Sequence, residues 1–130
     1  MKFAICNEMF EGMPFEHVCE YVSSCGYDGI EIAPFTFDAD PSRISKSVAR
    51  AIGKTARDSG LELVAMHWLL ARPTGSMAMH LTTCDKIVRQ RTIAFAQRLA
   101  RLCSAMGAKV MVWGSPKQRD IAGHDDVVDA

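Results

Sequence analysis

The chain has 130 residues, 48% hydrophobic and 23% charged, with 15 basic residues against 15 acidic and a formal net charge of +0. This length allows one domain with a real core, in an ordinary globular composition. The charge balance gives no electrostatic case for nucleic acid or an anionic membrane, and no apolar run approaches the roughly 18 residues of a membrane span.

In chain order, the apolar run 2–6 predicts a first strand, and residues 7–13 a connection. Asn7 and Glu8 break the opening run too early for a secretion signal, so the expected location is cytoplasmic. Pro14 suits the first turn of a helix, because its missing N–H would be unpaired there anyway. Phe15, Val18, Cys19, Val22 and Cys25 follow on one apolar face. Gly26 ends that helix, and residues 27–32 read as a second strand. Asp40-Pro41 repeats the start signal, an N-cap followed by proline, and Ile44, Val48, Ala51 and Ile52 supply the stripe of a second helix. Gly60 leads into a third strand over 61–66. A third helix begins near Thr83, with Asp85 favourable in its first turn and Ile87, Ala94, Phe95, Leu102 and Met106 on one side. Arg89, Arg91, Arg98 and Arg101 read as a solvated face. Gly107 leads into a fourth strand over 108–113, and the acidic tail 123–130 reads as a fourth helix cut short.

Three passages from helix through glycine into a short buried strand imply parallel βαβαβαβ and an α/β fold. The turns at Gly26, Gly60 and Gly107 are short, whereas the connections 7–13, 33–40 and 67–82 are long. Short loops at strand starts and long loops at strand ends fit a barrel or open sheet whose site lies at the C-terminal ends of the strands.

The candidate site residues follow from that placement. His67 ends the third strand, and strict alternation puts it on one face with Leu61, Leu63 and Ala65. There it either meets substrate, metal or a proton, or is a packed histidine satisfied by backbone. Glu31 stands inside an apolar run, so its carboxylate needs a partner or solvent; it faces the pocket or an internal ion pair. Asn7 and Glu8, which follow the first strand, are weaker candidates of the same strand-end kind. After the fourth strand, Ser115, Lys117 and Arg119 offer donors to a phosphate, carboxylate or polyol. Cys6, Cys19, Cys25, Cys84 and Cys103 form no C-x-x-C pair and read as reduced thiols. The spacing shows no set of three metal ligands, no G-x-G-x-x-G and no P-loop. Chemistry is not closed by these residues.

Particular runs resemble the sugar phosphate isomerase/epimerase family of xylose-isomerase-like TIM barrels. They are His67-Trp68-Leu69-Leu70, His80-Leu81-Thr82, Arg89-Gln90-Arg91-Thr92 and Val112-Trp113-Gly114-Ser115-Pro116-Lys117-Gln118-Arg119. The run Gly26-Tyr27-Asp28-Gly29-Ile30-Glu31-Ile32 is similar to the second-strand pattern of the wider group. The resemblance implies that residues 1–130 are the N-terminal half, the first four strands, of a (β/α)8 barrel of about 250 residues. It implies a hydrogen moved between adjacent carbons of a hydroxy-carbonyl compound, with two glutamates and one divalent metal (Mn, Mg, Co or Zn). Those glutamates and the metal ligands come from strands five to eight. This chain is therefore expected to be inactive alone, to hold no metal tightly, and to line the substrate through Asn7, Glu31, His67, Ser115, Lys117 and Arg119. Its expected partners are a small carbohydrate or sugar phosphate and either the missing half or a second copy. The exposed sheet face is expected to include Ile5 and Leu63. Two other readings are an apurinic-endonuclease-like hydrolase of the same superfamily and a non-catalytic half-barrel or open-sheet binding domain.

Overall fold

A computed structural model describes residues 1–70 and 79–113. Four strands, β1 (Ala4–Cys6), β2 (Gly29–Ile32), β3 (Glu62–Met66) and β4 (Val110–Met111), form one parallel sheet in the order β1-β2-β3-β4. Three helices, α1 (Phe15–Ser24), α2 (Lys46–Asp58) and α3 (Lys86–Met106), connect them. Each strand pairs with the next in sequence, as in one arc of a parallel barrel. Gly26, Gly60 and Gly107 take φ of 83°, 77° and 93°, so the repeated helix-to-strand turn rests on the left-handed conformation that glycine adopts freely. The expected tail helix at 123–130 lies outside the described residues.

The helices differ from expectation in their starts. Asp40-Pro41 opens a single 3-10 turn, Pro41–Arg43, in which Asp40 Oδ1 accepts the Ser42 N–H at 3.0 Å. The helix proper starts at Lys46, where the Ser45 hydroxyl accepts the Val48 N–H. The buried stripe is consequently Ala49, Ile52, Gly53 and Ala56, while Val48 and Ala51 are exposed. Asp85 caps α3 by accepting the N–H groups of Ile87 and Val88. Thr92, Phe95, Leu99, Leu102, Cys103 and Met106 form its inner face, leaving Ile87 and Ala94 outside. Helix-facing residues of the sheet, including Ile30, Ile32 and Met66, pack against these stripes in one core with Val18, Cys19, Val22 and Ile52.

One irregularity decides which side chains reach the site. Ile30 pairs with Leu63 but Glu31 pairs with Ala65, so Val64 is an extra residue in β3. A Cβ on Gly29 would lie 2.9 Å from Val64 Cγ1 and 2.8 Å from the Glu62 carbonyl oxygen. Glycine is therefore required where the bulged strand crosses. The bulge also overturns the expected alternation. Leu61 and Leu63 belong to the helix-side core, which Ile5 joins. Ala65 and His67 stand on the opposite face, level with Cys6 and Glu31. The exposed sheet face is thus not made of Ile5 and Leu63.

Candidate functional site

Register alone brings Cys6 beside Glu31, and Glu31 beside Ala65, at the C-terminal ends of three neighbouring strands. His67 is the next residue of β3 on that side, and its backbone N–H is held by the Ile32 carbonyl at 3.0 Å. Its side chain is 11% exposed, against 28% for Glu31. Nδ1 of His67 lies 3.0 Å from Glu31 Oε2. Nε2 lies 3.5 Å from Glu8 Oε2 and 3.4 Å from Cys6 Sγ. Glu8 comes from a 3-10 turn, Asn7–Phe10, that follows β1 directly.

The His67 ring meets side chains rather than backbone, and Glu31 meets that same histidine at the strand ends. Burial raises the Cys6 thiol to about 11, and the nearby Glu8 and Glu31 carboxylates push the same way. As it stands, Cys6 is a protonated thiol rather than an activated nucleophile. Cys6, Glu31 and His67 each offer one ligand atom, all within 4.8 Å of one another. The chain therefore carries a group able to hold a metal ion, which linear spacing could not reveal because each ligand comes from a different strand. Its mixed thiol, carboxylate and imidazole set differs from the oxygen-rich set that Mg²⁺ prefers.

Asn7 is buried, and its amide braces the rim. Oδ1 accepts the Ala33 N–H at 2.8 Å, and Nδ2 donates to Thr36 Oγ1 at 2.7 Å. The Thr36 hydroxyl donates in turn to the Ala33 carbonyl. This ties the end of β1 to the loop after β2. Ser115, Lys117 and Arg119 lie outside the described residues.

Sequence reasoning did not place Cys6, Phe35 or Trp68 at the site, and it gave Glu8 only as a weaker candidate beside Asn7. Trp68, next to His67, is 48% exposed and adopts φ 55°, an unusual conformation for a bulky residue. It meets Phe35 edge to face with ring centroids 5.9 Å apart. Such strain gathers at binding sites, where surrounding structure holds it. A concavity of about 340 Å³ lies beside this rim, lined in part by Asn7, Phe35 and Thr36. A larger one of about 730 Å³ lies between α2 and α3, lined by Arg50, Arg98 and Arg101, away from the strand ends. Parallel α/β sheets place chemistry at the strand ends, which favours the smaller hollow.

The family model described as xylose isomerase-like TIM barrel matches residues 19–129. Among solved structures, D-psicose 3-epimerase in the presence of D-fructose is similar at TM-score 0.66 and 23% identity, over 85% of this chain and 36% of that one. The probable 3-DHS dehydratase involved in petrobactin synthesis from Bacillus anthracis is similar at TM-score 0.60 and 18% identity, over 85% and 37%. At such identities the likeness is one of fold, and the chain spans just over a third of each. No curated protein matches.

Proposed function

The chain belongs to the xylose isomerase-like TIM barrel family, and from that membership we propose that it is the substrate-lining half of a sugar or sugar-phosphate isomerase or epimerase. The observation that carries the reading is the half-buried cluster of Cys6, Glu8, Glu31 and His67 at the C-terminal ends of three adjacent strands. Family membership and an epimerase and a dehydratase as structural neighbours support it over an endonuclease reading.

Moving a hydrogen between adjacent carbons requires a base near the C–H bond and donors for the enediolate oxygen. A divalent metal held by the other half of the barrel would supply carbonyl polarisation. This chain's residues bind and orient. Glu31 accepts a hydrogen bond from His67 Nδ1–H and so fixes the ring, leaving Nε2 directed toward Cys6 and Glu8. A substrate hydroxyl entering there exchanges with those contacts and is held by His67 and a carboxylate. Trp68 and Phe35 offer an apolar wall to the C–H face of a sugar. Ser115, Lys117 and Arg119, in the stretch after β4, supply donors to a phosphate or carboxylate. Holding the hydroxyls in line is where this half contributes to rate.

The test is kinetic, in a barrel completed by a C-terminal half. His67→Ala should lower kcat/KM about ten- to a hundredfold, since a lost hydrogen bond of this kind costs about 1–3 kcal/mol. Arg119→Ala should mainly raise KM, more for a phosphorylated or carboxylated substrate than for a neutral sugar. Wild-type kinetics in both variants, on every ketose or aldose the parent converts, would contradict the assignment.

A further inference from the structure

We propose that Cys6, Glu31 and His67 form a zinc site in this chain, separate from the metal of the barrel's other half. The three ligand atoms converge within 4.8 Å. Zinc bonds of about 2.3 Å to sulfur and about 2.0 Å to nitrogen or oxygen set tetrahedral edges of about 3.3–3.6 Å. Cys6 Sγ lies 3.7 Å from His67 Nδ1, and Glu31 Oε2 lies 3.0 Å from the same nitrogen. Small side-chain rotations open this triangle around one ion. Nε2–H then points to Glu8 Oε2, now at 3.5 Å. That is the carboxylate–histidine–metal arrangement in which the outer carboxylate fixes the imidazole tautomer.

Chemistry selects the ion. One thiolate, one carboxylate and one imidazole favour zinc over Mg²⁺ or Mn²⁺. Electrostatics agree, because two carboxylates facing a neutral thiol and one imidazole leave the pocket anionic, and a divalent cation offsets that charge. Binding replaces the Cys6 S–H bond with a sulfur–zinc bond and releases that proton to solvent, while the His67 ring changes from the Nδ1–H to the Nε2–H tautomer so that Nδ1 is free to bind. Three protein ligands leave a fourth position for water or a substrate oxygen, the open geometry of reactive zinc sites. For zinc, the proposal departs from the expectation that this chain holds no metal tightly.

The proposal is tested by bound metal rather than turnover, so its failure is distinct from failure of the isomerase reading. The purified chain is loaded with Zn²⁺, dialysed against metal-free buffer and assayed by elemental analysis. One zinc per chain is expected, with none retained by Cys6→Ser or His67→Ala and one retained by the Cys25→Ser, Cys84→Ser double variant. Glu8→Gln should weaken binding about ten- to a hundredfold while keeping the stoichiometry. Co²⁺ should give a thiolate-to-cobalt charge-transfer band that Cys6→Ser abolishes. Should the variants not fold, X-ray absorption at the zinc edge of the wild-type chain decides: one sulfur and two or three nitrogen or oxygen neighbours are expected. A zinc-free folded wild type, zinc retained unchanged in Cys6→Ser, or a shell with no sulfur or several sulfurs overturns the site.

Discussion

Asn7→Ala should cost far more stability than its place in a loop suggests. Asn7 is 6% exposed, and its amide accepts the buried Ala33 N–H at 2.8 Å while donating to Thr36 at 2.7 Å. Alanine leaves the Ala33 N–H buried without that acceptor, which costs about 1–3 kcal/mol, and removes a second bond worth about 0.5–1.5 kcal/mol. The expected loss is about 2–4 kcal/mol, a large share of the 5–15 kcal/mol typical of a domain. With a slope of about 2 kcal/mol/M, the urea midpoint should fall by about 1–2 M. The assay is urea unfolding followed by circular dichroism at fixed protein concentration. Asn7→Asp keeps the acceptor for Ala33 but turns the Thr36-facing donor into an acceptor, so it should fall between alanine and wild type. Thr36→Val should couple to Asn7→Ala in a double-mutant cycle by more than about 0.5 kcal/mol. A loss below about 0.5 kcal/mol for Asn7→Ala, or additivity with Thr36→Val, would refute the brace between the ends of β1 and β2.

Four further outcomes follow from the structure. Gly53→Ala should unfold or grossly destabilise the chain in thermal melts, because a Cβ would lie 1.9 Å from the Met106 carbonyl oxygen where α2 crosses α3. Trp68→Gly should leave stability unchanged or raise it by about 1 kcal/mol by relieving the positive φ, yet weaken sugar binding in a completed barrel; equal binding would remove Trp68 from the site. Burial raises Cys19 to about 11 and also raises Cys103. Both thiols bind their protons more firmly folded than unfolded, so stability is full below the unfolded thiol range and falls as pH rises above it, for Cys19 by about 1.4 kcal/mol per pH unit up to about 11; a flat alkaline profile would contradict this. Val110 and Val112 at the outer strand are 52% and 41% exposed, so the isolated chain should self-associate through that edge; a compact monomer by light scattering that binds no hydrophobic dye would contradict it.

The parallel order of elements was readable because glycine and hydrophobic period speak locally. A helix face needs a left-handed stop, and Gly26, Gly60 and Gly107 supply it in the sequence and in the structure alike. Asp40-Pro41 misled because a cap and a proline stabilise a single 3-10 turn as readily as a helix; the competing cap at Ser45 sets the true start. His67 and Glu31 were legible as strand-end polar residues. Their meeting with Cys6 was not, because it depends on strand register and on the bulge at Val64, both set by pairing across the sheet. Trp68 was visible within a motif, but its positive φ is a property of the folded loop.

The central claim is that the strand-end cluster handles a substrate whose C–H bond next to a carbonyl is made labile. Deuterium wash-in measures this most directly. A completed barrel carrying this chain is incubated in D₂O with a panel of ketoses and ketose phosphates, and label is located by NMR. The account predicts exchange of one hydrogen adjacent to the carbonyl of at least one substrate, slowed at least tenfold by His67→Ala. No exchange into any of them from a folded, metal-supplied barrel, or exchange at the wild-type rate in His67→Ala, would contradict it.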